Sequence, residues 1–263
     1  MEIICFGISL IATIIGSIVG VGGGIIIKPV LDAFGFFPVS AVSFMSGCTA
    51  LAMAIVSLFK QRGNGANLQY RLSTPLAIGS LFGGLIGKEL FEFFKKGVYN
   101  EAFLGGAQSV CLTLITFLVY IYMCKKSKLK SLKIDSMLIC VLIGVFLGTF
   151  SSFLGIGGGT SIIAVLFLCF SMNAKEAGKN SLCIIIFSQG SNIIKSIVTD
   201  TIPSVNYNVL FIMIFAGVFG AILGSKIVSK ITNKEIEKIF RIILIGVIII
   251  DFYNTIKFFT LNN

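Results

Sequence analysis

Two apolar runs, each too long for one upright helix and each broken by glycines at the same relative place, constrain this chain more than anything else. Residues 3–36 form a 34-residue run with Gly20, Gly22, Gly23 and Gly24 at its middle. As one helix it would measure roughly 51 Å, against a hydrocarbon core of about 30 Å. Each glycine weakens a helix by about 1 kcal/mol and permits positive φ, so the run is expected to break there. The segment 136–171 has the same form, with Gly155, Gly157, Gly158 and Gly159. Further apolar segments are 38–59, 72–94, 98–124, 177–198, 206–229 and 236–259. Charged residues make up 12% of the chain and hydrophobic residues 56%, whereas soluble domains carry about 25% charged residues. A soluble enzyme and a disordered chain are excluded by that balance. An outer-membrane barrel is excluded by the length of the runs. The fold class is an all-α polytopic membrane protein, expected as a multi-pass protein of the cytoplasmic membrane. Met1 and Glu2 lead straight into the first run, so no cleaved signal is expected.

A broken run can cross the bilayer once or fold back as a hairpin. Positive residues concentrate in the cytoplasm, so loop charges discriminate. With single crossings the 21 Lys and Arg residues divide 10 against 11. With two hairpins they divide 15 against 6, and the hairpin arrangement is preferred. It places 125–134 in the cytoplasm and both termini outside. Each half then reads as a re-entrant hairpin followed by three transmembrane helices. The first membrane repeat covers 1–124, a basic linker 125–134, and the second repeat 135–263.

The halves repeat one another. "SIVGVGGGIII" at 17–27 matches "SFLGIGGGTSI" at 152–162, an offset of 135 residues. At that offset Ser46 aligns with Ser181, and "GGLIGKEL" at 83–90 resembles "GAILGSKI" at 220–227 two residues further on. Three full crossings per half is odd, so the halves are expected to be inverted relative to each other. Inverted repeats with broken helices mark transporters, with substrate held where the repeats meet. The alternative is that the glycines form only kink or packing sites.

A helix start inside a membrane presents amides without water and a partial positive charge, which suits an anion. The second limbs are expected to begin near Ile25 and Thr160. The donors would be the amides of Gly22, Gly23, Gly24, Gly157, Gly158 and Gly159, with the hydroxyls of Thr160 and Ser161. A cation site would need converging carboxylates, and Asp32, Glu89, Glu176 and Asp251 do not cluster in sequence. Ser46, Ser181, Gln189 and Asn192 are polar at membrane depth and are read as lining the site or its pathway, against a role in helix packing. Lys28 either neutralises the anion or snorkels to the surface. Histidine is absent and the seven cysteines form no CxxC pair. No metal site or cofactor is therefore expected, and the cysteines are read as packing residues. The net charge of +10 is assigned to basic residues beside the spans, not to nucleic acid. The lipid bilayer is the solvent, and a homodimer is an open assembly.

"GVGGGIIIKPVL" at 20–31, "GIGGGTSIIAVL" at 155–166, "PVSAVSFMS" at 38–46 and "NAKEAGKNS" at 173–181 resemble the TauE/SafE sulfite exporter family, also called the sulfonate-uptake permeases. The resemblance covers essentially the whole chain. It implies transport of sulfur-containing anions such as sulfite, sulfonates and sulfoacetate across the cytoplasmic membrane. The residue before the proline is usually aliphatic in the family and is Lys28 here, which would make the site more cationic.

The leading reading is a secondary transporter of a small organosulfur or inorganic sulfur anion. No GxxxxGK[ST] motif supplies ATP, and Glu176 is the carboxylate expected to carry any proton coupling. The second reading is an anion channel that uses the same site without alternating access. An intramembrane enzyme is disfavoured, because histidine and paired acidic groups are missing.

Overall fold

The computed structural model describes residues 1–61, 69–97, 101–126, 131–156 and 159–260. Among these residues the chain is all-helical, with α1 Glu2–Val19, α2 Gly24–Phe34, α3 Val39–Lys60, α4 Tyr70–Gly97, α5 Glu101–Lys125, α6 Met137–Leu154, α7 Gly159–Phe170, α8 Ala174–Val198, α9 Tyr207–Val228 and α10 Asn233–Thr260. Each unbroken apolar segment of the sequence corresponds to one helix, and each of the two glycine-broken runs to two. Seven helices are long and apolar enough to cross a membrane: α1, α3, α5, α6, α8, α9 and α10. α4, at 28 residues, has the length but carries Lys88, Glu89, Glu92 and Lys95 in its last third. α2 and α7, with 11 and 12 residues, would reach only about 16–18 Å and cannot cross alone.

Both long apolar runs break at their glycines. α1 ends on Gly20 in the left-handed region (φ 85°), whose amide donates to the Gly16 carbonyl. α6 ends in the same way on Gly155 (φ 65°), whose amide donates to Ser152. A side chain at that φ would be strained, so glycine at these stops follows from the geometry. The α6–α7 pair returns to the end of the bundle where it began. Amides of Leu132 and Ile134, just before α6, donate to the carbonyls of Leu168 and Cys169, late in α7 (2.9 and 2.8 Å). That closure is a hairpin and not a bent crossing.

The halves interlock. α1 lies along α9 as α6 lies along α4; α3 meets α9 as α8 meets α4; α2 meets α10 as α7 meets α5. α3 pairs with α8, and α5 with α10, across the centre. Exchanging α1–α5 for α6–α10 therefore leaves the packing scheme unchanged. The closest contacts use small residues at helical spacing. Gly79, Gly83 and Gly87 on α4 press against α6 backbone at Val141, Val145 and Thr149, where an added Cβ would overlap carbonyl oxygens. Gly220 and Gly224 on α9 take α1 in the same manner at Thr13 and Ile14. In lipid, helices associate through such close packing, because apolar burial alone gives no preference for protein over acyl chains.

The two breaks meet. A Cβ on Gly24 would lie 2.6 Å from the Ile156 carbonyl oxygen, and one on Gly159 would overlap the Val21 carbonyl. These are equivalent positions in the two halves. Gly159→Ala is expected to cost about 3 kcal/mol, the upper end of overpacking, since backbone and not a flexible side chain stands in the way. Gly246→Ala on α10, with open space around its Cβ, is expected to be neutral or to add up to about 1 kcal/mol. Melting temperatures of the two variants in detergent check the contrast, and equal stability would remove backbone contact as the reason for Gly159.

Candidate functional site

A helix that stops inside the bundle leaves carbonyls without partners. Here each half caps the other. Ser46 Oγ, on α3, donates to the Gly155 carbonyl at 2.8 Å. Ser181 Oγ, on α8, donates to the Gly20 carbonyl and also to Gly178. Both serines stand seven residues inside their helices, about 10 Å from the ends. Gly178 opposes Gly20, and Ser43 opposes Gly155, at distances that leave no room for a Cβ on either break glycine. The protons of Ser46 and Ser181 are thus committed to carbonyls, and these residues position the two tips.

On the amide side, Gly22, Gly23, Gly24 and Ile25 are all buried. Among the described residues none of their N–H groups has a hydrogen-bond acceptor. Buried amides are otherwise nearly always paired. Gly159 begins α7 against the Val21 carbonyl, and among the described residues the buried Thr160 hydroxyl has no partner. Ser161 is half-buried beside it. Gly157 and Gly158 lie outside the described residues.

Each tip stands at the bottom of a pocket. The pocket at the α6 tip, about 30 Å³, is lined by Ser40, Ser43, Phe44, Gly47, Lys88, Phe91, Glu92, Lys95, Ser152, Gly155, Gln189, Asn192 and Ser196, among others. The pocket at the α1 tip, about 10 Å³, is lined by Ser17, Ile18, Gln61, Ala174, Lys175, Gly178, Lys179 and Val228. Six lining positions correspond between them through the repeat: Ser40 with Lys175, Ser43 with Gly178, Phe44 with Lys179, Ser152 with Ser17, Ser196 with Gln61, and Phe91 with Val228. The pockets therefore form an equivalent pair of unequal size, each presenting two lysines. In the larger one Lys88 bonds Glu92 at 2.8 Å, and among the described residues the buried hydroxyls of Ser43 and Ser152 have no partner. Gln189 is buried and donates to Ser151 Oγ at 3.0 Å. Asn192 is half-buried on the pocket wall.

The structure brings Gln189 and Asn192 together with Gly155, and places Gly24 against Ile156, Gly23 against Thr13 of α1 and Gly22 against Ile185 of α8. It separates Lys28 from both pockets. Lys28 Nζ bonds Asp32 Oδ2 at 2.7 Å, with both side chains 3% exposed, in a gap shared with Gln108 and Asp251. The i, i+4 spacing of Lys28 and Asp32 was available in the sequence as a pairing signal. Glu176, the carboxylate expected to carry coupling, instead closes a capping box at the start of α8. Its Oε2 accepts from the Asn173 amide, and Asn173 Oδ1 accepts from the Glu176 amide (3.1 and 3.0 Å). The N-x-x-E pattern at 173–176 is the signature of that cap. Lys88 and Ser152 were not singled out from sequence, although both lie within the repeated motifs.

The sulfite exporter TauE/SafE family model matches residues 5–250. The chain belongs to the TauE/SafE sulfite exporter family. It is a multi-pass membrane protein of a transporter family. A probable membrane transporter protein of Methanocaldococcus jannaschii is 26% identical over 170 residues, covering 60% of this chain and 59% of the relative. The chain thus matches somewhat more than half the length of that relative. No solved structure matches. In this TauE/SafE protein the Lys28–Asp32 pair has no counterpart in the second half, where Ile163 and Phe167 hold the equivalent positions.

Removing one partner of a buried ion pair strands the other charge and costs about 3–5 kcal/mol. Lys28→Met is expected to destabilise the protein by that order, and Lys28→Met with Asp32→Leu to recover most of the loss. Thermal unfolding in detergent reads both; a double variant as unstable as the single would refute pairing as the role of Lys28.

Proposed function

We propose that this protein is a secondary transporter that moves a small sulfur-containing anion, of the sulfite, sulfonate or sulfoacetate class, across the cytoplasmic membrane. The reading rests above all on the paired pockets at the two tips. They are equivalent in sequence yet unequal in size, as alternating access from two sides requires. Among the described residues two lysines line each pocket, against Glu92 in the larger and no carboxylate in the smaller, and that excess of positive charge in a cleft favours an anion. The partnerless hydroxyls of Ser43, Ser152 and Thr160 and the buried amides of Gly22–Ile25 supply donors and no negative charge. Tetrahedral oxyanions and sulfonates accept several hydrogen bonds at once and match such a set. In this reading Ser46 and Ser181 hold the tips, while Gln189 and Asn192 line the route. The halves are inverted across the bilayer, with the α6-tip pocket outside and the α1-tip pocket facing the cytoplasm. No chemical step on the anion is involved.

Binding is tested by thermal shift of the purified protein with sulfite, sulfate, thiosulfate, taurine, isethionate and sulfoacetate. At least one sulfur anion is expected to raise the melting temperature. Ser43→Ala with Ser152→Ala is expected to weaken its binding by about one order of magnitude, two neutral hydrogen bonds of about 1 kcal/mol each being partly offset by water. No shift with any of the six would sink the substrate class. Flux that saturates and shows counterflow separates a carrier from a channel.

Orientation is tested by single cysteines in a cysteine-free background. Positions 131–134 and 229–233 should label from the cytoplasm and residues 1–3 from outside. Labelling of 229–233 from outside would overturn the inverted arrangement.

A further inference from the structure

The gap between α2, α5 and α10 holds Lys28, Asp32, Gln108, Ser109 and Asp251, at one end of the short limb that begins at the glycine break. One lysine faces two aspartates. Lys28 is bonded to Asp32, and among the described residues Asp251, 1% exposed on the membrane-spanning α10, has no salt-bridge partner. Among the described residues the buried side-chain atoms here that lack a partner are all oxygens: Asp32 Oδ1, Asp251 Oδ2, Gln108 Oε1 and Asn254 Oδ1. Gln108 spends its amide on the Phe153 carbonyl, and Asn254 spends its own on Pro29. Lys28 keeps two further N–H groups and Ser109 its hydroxyl, so what the gap lacks is positive charge, with one lysine against two buried carboxylates. The gap is too tight for a water molecule, so no hydrated metal ion fills the deficit.

We propose that Asp251 is a proton-binding site, protonated when α2, α5 and α10 pack as described here. The proton brings the net charge of the gap from −1 to zero. The charged groups that bear on Asp251 are Lys28 and Asp32 of α2, and Lys257 bears on Asp32 while donating to its carbonyl. α5 contributes Gln108 and Ser109 to the gap; α1 carries only Glu2, at its exposed start. On α8, Lys175 and Lys179 line the α1-tip pocket, Glu176 caps the helix and Lys195 pairs with Glu89. When Asp251 releases its proton to solvent, two carboxylates compete for Lys28. That competition pulls α2, and with it the glycine tip at Gly24, relative to α10. The equivalent gap between α7, α5 and α10 has Ile163 and Phe167 in place of Lys28 and Asp32, so only one half carries the device. Coupling of this proton to the anion rests on the transport reading; the proton site does not.

The test uses the full-length protein in lipid vesicles. Infrared difference spectra across a pH titration should show a buried carboxylic C=O band at neutral pH in the wild type and in Glu176→Gln, and its complete loss in Asp251→Asn. Asparagine offers an N–H where the acid offers an O–H, so the variant is expected to fold. No band in the wild type, or a band that survives Asp251→Asn, overturns the proposal. Isethionate and sulfite flux then tests coupling. One proton per anion changes accumulation about tenfold per unit of imposed pH gradient, and Asp251→Asn should abolish that response while keeping counterflow. A response that survives the substitution overturns the coupling. No flux of either probe in the wild type counts against transport, and the carboxyl band still decides the proton site.

Discussion

A helix that ends inside a membrane must dispose of its last carbonyls without water, and the architecture follows from how that is done. Gly20 and Gly155 each turn the chain through a left-handed residue, and each hands its carbonyl to a serine of the opposite half. The earlier carbonyls of each last turn find donors in their own half, as Gly16 does in the Gly20 amide and Ser17 in Gln61, but the two break-glycine carbonyls are satisfied only from the other half. A break of this kind is tolerated in hydrocarbon only where protein re-satisfies it. The two hairpins can therefore exist only as a pair, each supplied by the other half's second helix.

That dependence explains why the repeats interlock instead of standing side by side. α1 finds its long contact on α9 and α6 on α4, through glycines that let backbones touch. Close approach on both flanks presses the breaks together at Gly24–Ile156 and Gly159–Val21. It also leaves a pocket beside each tip, because the glycine stops occupy less volume than the helices around them. Seen this way, the pockets are a by-product of the capping scheme, and their lysines and hydroxyls are what suits them to an anion.

The ionic gap at Lys28, Asp32 and Asp251 departs from this symmetry. Nothing in the capping or packing scheme requires charge there, and the second half does without it. Charges buried at membrane depth are costly, and pairing offsets that cost only in part. A device that distinguishes the halves gives the motion of one tip a separate control.

Much of the fold was legible in the residues themselves. Apolar run length and low charge determine a polytopic helical protein, since only helices keep backbone satisfied within one segment. The glycine clusters mark the breaks, because no other residue combines a helix stop with close backbone approach. The 135-residue repeat pairs the halves, and the N-x-x-E pattern at 173–176 holds the α8 cap in plain view. The sequence could not say which side chains meet across 100 or more residues. Ser46 and Ser181 read from sequence as lining the site or packing helices, and only the structure shows their protons given to the carbonyls of Gly155 and Gly20. Lys28 read as a group near the tip until α2 turned it toward Asp32, because helical spacing places i and i+4 together but does not say which neighbour they face. Asp251 stands 219 residues from Asp32, and only the packing of α10 on α2 places both beside one lysine. Local pattern is set by short-range sterics and period, whereas the partner of a buried polar group is set by which helices dock, and that is a property of the whole chain.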